Sequence, residues 1–209
     1  MPQRTTSAHR EIIPDFKERI LQAAVLIEPE GSKLINFRDD ISSDNKRSNW
    51  KVSLEYLLYR FDNSRLNAEV KSYIKGGERL DEENDDHQEM VGEWLEESDD
   101  INMTKLVNDI RQNGQTDVAI CTCDGFLING NRRRKALEIL YNSTSEEKYN
   151  FMKVVVLPSG DNDAFGPGEQ PSLIEIQQIE YSCQVQATGK SEYSGINTAL
   201  LYKKNIDME

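Results

Sequence analysis

The stretch from Leu106 to Leu140, LVNDIRQNGQTDVAICTCDGFLINGNRRRKALEIL, decides how this 209-residue chain folds. Leu106, Val107 and Ile110 recur at helical spacing within Thr104 to Gln112, and Asn113-Gly114 supplies a C-terminal stop. Val118 to Cys123 is a continuous apolar run of strand length. Asp124-Gly125 is a two-residue hairpin signal, and Phe126 to Ile128 forms the return strand. Asn129-Gly130 ends that strand. A helix over Asn131 to Tyr141 follows at once, with Ala136, Leu137 and Leu140 on its inner face.

The start of that helix poses an electrostatic problem. Arg132, Arg133, Arg134 and Lys135 crowd its first turn, where the helix dipole already presents positive charge. An anion held there by backbone N–H groups and by the arginines relieves the conflict, and Gly130 lets a phosphate approach the backbone closely. The bland alternative is an exposed basic patch without a ligand. Coincidence of turn glycine, helix start and cations favours the anion site.

Outward from this stretch, Phe151 to Leu157 (FMKVVVL) reads as a buried strand and residues 158 to 171 as a loop. Ser172 and Glu175 form a capping box ahead of the helix LIEIQQIEYSCQV, which Gly189 stops, and a last helix is expected within Ser194 to Lys204. Glu180 falls on the apolar stripe of Leu173, Ile176 and Cys183/Gln184, so its carboxylate faces the interior or a cleft. Such a carboxylate requires a partner, either an arginine or a metal ion, and the sequence leaves both open. The string ATGKS at Ala187 to Ser191 is no phosphate loop, because Gln184 stands where the motif needs glycine and a helix precedes it.

Upstream, residues 1 to 13 read as a tail, and Pro14 opens an amphipathic helix (PDFKERILQAAVLIE) with Phe16, Ile20, Ala23, Ala24 and Ile27 on one face. Pro29 to Asn49 reads as a linker. Trp50 to Phe61 has strand-like composition closed by a turn at Asp62-Asn63-Ser64, and Asn67 to Ile74 is a short helix stopping at Gly76-Gly77. The expected organisation is therefore an N-terminal tail, helix and linker over 1–49, a core over 50–160 and a C-terminal helical part over 161–209. The fold class is α/β (α+β): a small mixed sheet flanked by helices, with an N-terminal helical extension.

Charge is unevenly placed. The net charge is −12, yet residues 81–100 hold 11 acidic side chains and no Lys or Arg, leaving 26 acids and 25 bases elsewhere. This segment, within 79–100, reads as a solvated insertion dispensable for the fold, whose Met90, Val91, Trp94 and Leu95 can form one short amphipathic helix lightly docked on the core. No apolar run is long enough for a membrane span, and the first residues lack the apolar centre of a signal peptide, so a cytoplasmic location is expected. Cys121, Cys123 and Cys183 fit neither a metal knuckle nor a disulfide framework and read as reduced thiols. His9 and His87 have no ligand partners at metal spacing.

The Leu106–Leu140 segment resembles the core of the ParB/sulfiredoxin superfamily, whose ParB members place a Gly-Glu-Arg-Arg motif at the start of a helix after two hairpin strands. Gly130, Arg132 and Arg133 match the motif's glycine and arginines, and Ala136 matches its small helix residue. FMKVVVL is similar to the next strand, IEYSCQVQ to the Glu-Asn-x-Gln helix and GINTALLYKK to the helix after it. The resemblance implies a nucleotide pocket in which Gly130, Asn131, Arg132 and Arg133, together with Gly114, Gln115 and Thr116, bind a nucleoside triphosphate (ATP or CTP). It implies Mg²⁺ at Glu180, which would also be the catalytic residue of slow NTP hydrolysis. It further implies action with DNA, directly or through a partner protein, in partition, transcription control or DNA modification; a second copy of the chain is another candidate partner. The alternatives are a ParB-like DNA nuclease and a non-catalytic nucleotide sensor. Asn131 replaces the motif glutamate, Tyr181 the metal-side asparagine and Thr116-Asp117 the usual Gln-Pro. Asn131 also stands at the position of the sulfiredoxin catalytic cysteine, which argues against sulfinic-acid reduction.

Overall fold

The computed structural model describes residues 10–27, 32–35, 46–61, 66–160, 164–166 and 168–188. Their elements, in chain order, are α1 (Pro14–Ala23), β1 (Val25–Leu26), β2 (Ser32–Leu34), β3 (Lys46–Ser48), β4 (Trp50–Ser53), α2 (Asn67–Lys75), α3 (Asp85–Glu97), α4 (Asp100–Asn113), β5 (Ala119–Cys121), β6 (Leu127–Asn129), α5 (Asn131–Thr144), β7 (Phe151–Val156) and α6 (Leu173–Thr188). Short 3₁₀ turns lie at Leu54–Tyr56 and Glu147–Tyr149. The expected turn at 62–64 and the last helix near 194–204 lie outside the described residues.

Five strands form one mixed sheet in the order β1-β4-β7-β5-β6. β5 and β7 run parallel, with Ile120 opposite Val155, and the crossover between them carries β6 and α5. The other pairs in this sheet are antiparallel. Period-two alternation gives the sheet two apolar faces. Ala119, Cys121, Leu127, Met152, Val154 and Val156 pack with α1, α4 and α5 through Ile20, Val107, Ile110, Leu137 and Leu140. Ile120, Ile128, Val155 and Leu157 pack with Ile176 and Ile179 of α6. Coverage of both faces explains why Ala119–Cys121 and Val154–Leu157 read as unbroken apolar runs rather than alternating ones.

The hairpin turn is shifted by one residue from the expected Asp124-Gly125 centre. Gly125 N donates to Thr122 O at 3.0 Å, so Cys123 and Asp124 are the central residues. Gly125 follows at φ 86°, and a Cβ there would lie 2.1 Å from Tyr56 O. The turn is thus a three-residue loop closed by a left-handed glycine.

Three further expectations are corrected. Trp50 to Phe61 is not one strand: β4 ends at Ser53, and after the 3₁₀ turn the chain crosses to the far edge of the sheet. There Leu58 N donates to Gly125 O at 2.8 Å, and Leu127 N donates to Leu58 O at 3.0 Å. The N-terminal segment is no loose extension either. α1 begins with Pro14 at its first position but stops at Ala23, Ile20 is fully buried in the main core, and β1 pairs with β4 through Val25–Lys51. β2 and β3 pair with each other inside the stretch read as linker.

The acidic segment is the third correction. It folds as α3 and leads directly into α4, and Val91 and Leu95 are fully buried with Tyr59, Phe61 and Leu66 in a core of their own. Gly92 admits this approach, since a Cβ there would sit 3.2 Å from the Tyr59 ring. Gln88 locks the contact: its amide accepts from Tyr59 N at 2.7 Å and donates to Tyr59 O at 3.1 Å. The acidic side chains line the outer face, and the apolar ones, four residues apart, hold the helix down.

Downstream, the capping box forms as expected, with Ser172 N donating to Glu175 Oε2 at 2.8 Å and Glu175 N to Ser172 Oγ at 3.3 Å. Cys121 and Cys123 are buried free thiols, and burial raises the Cys121 pKa well above its ordinary value. Among the described residues, no helix is long and apolar enough to cross a membrane.

Candidate functional site

Gly130 caps α5 at φ 108°, where an L side chain is strained, and offers no side-chain oxygen to the first N–H groups of the helix. A Cβ at this position would lie 2.6 Å from the Ala119 Cβ and 2.9 Å from the Met152 Cε. Close packing of α5 on β5 and β7 therefore demands glycine here, whatever the helix start binds. Asn131 is buried and faces inward: its Oδ1 accepts from Arg60 N at 3.4 Å and its Nδ2 donates to Leu127 O at 3.3 Å. It shapes the turn rather than facing a ligand.

The four cations of the first turn each meet a carboxylate. Arg132 lies 3.4 Å from Asp99, Arg133 3.6 Å from Asp117, Arg134 3.0 Å from Glu138 and Lys135 3.4 Å from Glu96. Two of these partners, Glu96 and Asp99, come from the acidic segment. The charge conflict read from the helix start is thus answered in part inside the chain, by the segment that looked like a separate insertion. Arg134 is withdrawn from the helix start altogether: it lies 3.8 Å over the Tyr59 ring and donates to Gln88 Oε1 at 3.3 Å. The Tyr59 hydroxyl donates to Glu138 Oε2 at 2.8 Å, and burial, the largest influence, raises its pKa well above the ordinary value.

Arg133 behaves differently. Its guanidinium folds back beside Gly130, and its Nη1 is buried with no hydrogen-bond partner among the described residues. Burial lowers its pKa from the ordinary value, while Asp117 and then Cys183 of α6 push it back up. The Arg133 partner, Asp117, has a side chain that is 68% exposed.

The loop after α4 lies next to this arginine. Gly114 N donates to Ile110 O at 2.9 Å and closes α4. Gln115 is engaged with β7, donating to Lys153 O at 2.7 Å and accepting from Lys153 N at 2.6 Å. It holds the loop in place, and Thr116 is left exposed.

Glu180 is buried, and its carboxylate takes the Arg60 guanidinium at one oxygen and the Gln184 amide at the other, the latter at 3.0 Å. Of the two partners the sequence left open, the structure places the arginine there. A carboxylate committed to a guanidinium is a poor donor set for Mg²⁺, which needs hard oxygen ligands without a cation beside them. Among the described residues, no three His, Cys, Asp or Glu side chains are grouped to hold a metal ion.

The tertiary structure also assembles charges that no local pattern announced. Asp124, read as a turn residue, is fully buried, with Arg10 Nη1 at 2.5 Å and Ile13 N at 3.0 Å on one oxygen and the Thr122 hydroxyl at 2.6 Å on the other. Arg10 reaches Glu82 at 3.6 Å, and both Arg10 and Arg60 act on the Glu82 carboxylate. The one available signal was an arginine embedded in the apolar run YLLYRF, since a buried guanidinium implies a carboxylate partner. No protein-family model, curated protein or solved structure matches this chain.

Proposed function

We propose that this protein is a nucleotide-binding module of ParB/sulfiredoxin-like fold, holding the phosphates of a nucleoside triphosphate (ATP or CTP) at the start of α5. The observation that carries this reading is Arg133, whose buried Nη1 lacks a hydrogen-bond partner among the described residues beside the uncapped Gly130. An exposed carboxylate such as Asp117 contributes about 0–1 kcal/mol as an ion-pair partner. Charge-assisted hydrogen bonds to a phosphate contribute on the order of 1.5–3 kcal/mol, so a phosphate displaces Asp117 with a net gain. Arg132, the backbone at Gly130 and the exposed Thr116 are the remaining candidate contacts, while Asn131 and Gln115 position the two loops.

Binding rather than hydrolysis is the reading the geometry supports. Glu180 does not fit as a magnesium ligand while Arg60 holds it. Action with DNA and the nuclease alternative come from the resemblance to the superfamily. The test is a thermal-shift panel of ATP, CTP, GTP and UTP with and without Mg²⁺. A ligand at about 100 times its dissociation constant adds roughly 2.7 kcal/mol of stability. Arg132→Ala/Arg133→Ala should abolish the shift, and an unchanged shift in that variant overturns the site. Plasmid degradation without any nucleotide effect favours the nuclease reading instead.

A further inference from the structure

We infer that the β5–β6 hairpin, with Glu82 and Gln170, forms a pocket for an arginine-bearing peptide, which this chain fills with its own Arg10–Ile13. The pocket has four distinct recognition elements. The Asp124 carboxylate is fully buried and fixed by the Thr122 hydroxyl at 2.6 Å, so its position is set by the hairpin and not by the occupant. Glu82 supplies a second carboxylate 3.6 Å from the Arg10 Nε. The Phe126 ring forms a floor, with the guanidinium carbon 3.3 Å from its centroid. The Gln170 amide reads the main chain, donating to the Arg10 carbonyl at 2.5 Å, and Ile13 N donates to Asp124 at 3.0 Å.

This set selects arginine over lysine. A planar guanidinium stacks on an aromatic face and spans two carboxylates at once, whereas an ammonium is a point charge that does neither well. The occupant is separable from the receptor. Arg10–Ile13 has no helix or strand structure, precedes α1 and lies more than a hundred residues from Asp124 in the chain. Its polar contacts to the pocket are charge-assisted or main-chain bonds that any peptide of the same sequence can make. A vacated pocket leaves a buried carboxylate without its cation, which is strongly unfavourable and makes the pocket a receptor for a replacement.

The experiment uses the full chain carrying Arg10→Ala and a fluorescently labelled peptide of residues 8–14, AHREIIP, read by anisotropy. The expected result is saturable binding to this variant, weaker by about tenfold or more for the peptide with lysine at the arginine position. Binding should vanish when Asp124→Asn is added and be absent in the wild-type chain, whose pocket is filled. If Arg10→Ala does not fold alone, refolding with the peptide present gives the same reading, and recovery must depend on the peptide's arginine. Failure of the peptide to bind or rescue overturns the pocket, as does equal binding to the wild-type chain.

Discussion

Leu95→Ala tests whether the acidic segment belongs to the fold. Leu95 is fully buried on α3, packed with Tyr59, Phe61, Leu66 and Val91, so truncation removes apolar surface and leaves a cavity. Burying a leucine side chain contributes roughly 1.5–3 kcal/mol, and the residual cavity brings Leu→Ala losses to about 2–5 kcal/mol. A loss near 3 kcal/mol in a domain of this size lowers Tm by roughly 6–12 °C. Glu93→Ala on the exposed side of the same helix is the control and should stay within about 0.5 kcal/mol. Calorimetry or thermal circular dichroism reads both. If Leu95→Ala melts within a degree of Glu93→Ala, α3 is a solvated insertion and its packing contributes nothing.

Other outcomes follow from the same geometry. Arg60→Met leaves Glu180 as an uncompensated buried charge and should lose about 3–5 kcal/mol in urea denaturation, while adding Glu180→Met should recover most of it. A double variant no more stable than Arg60→Met would show that the pair is not what Arg60 contributes. Gly125→Ala combines a positive φ with a Cβ 2.1 Å from Tyr56 O, and should lower stability by more than about 1 kcal/mol in a thermal melt; a neutral result refutes the turn geometry. Burial, opposed by Arg10 and Arg60, raises the Glu82 pKa above its ordinary value of 4.5, so the folded state takes up this proton more readily than the unfolded chain. That contribution makes stability fall as pH rises from 4.5 through the folded pKa; Glu82→Gln should remove it, flattening the difference between wild type and variant above that window. A wild-type-minus-variant stability that is constant from pH 4 to about 7 contradicts the shift.

Local chemistry determined much of the architecture in the sequence itself. The apolar run at Val118–Cys123, the run at Phe151–Leu157 and the capping box at Ser172 and Glu175 each carry their own hydrogen-bond and burial requirements, and each formed where expected. So did the helix opening at Asn131 after Gly130. In these places the deciding interactions lie within a few residues, so period, caps and turn residues suffice. The turn shifted by one residue because Gly125 is fixed by its approach to Tyr56, a contact across 69 positions of sequence.

The candidate site was legible only in outline, for the same reason. Crowded cations at a helix start announced an electrostatic demand but not its answer, which is shared among Asp99, Asp117, Glu138 and Glu96. An acidic run looks solvated because charge outweighs four apolar residues in composition, yet three of them, Val91, Trp94 and Leu95, pack into one cluster with Tyr59 and Leu66. Glu180 on its own stripe is compatible with an arginine or a metal ion, and the choice comes from Arg60, 120 residues away, which the fold brings against it. Arg10 and Asp124 are unremarkable in their own neighbourhoods and become a buried pair only when the chain closes. Sequence specifies interactions that close over one turn or one hairpin, whereas the partner of a buried charge is set by which distant segments the apolar core forces together.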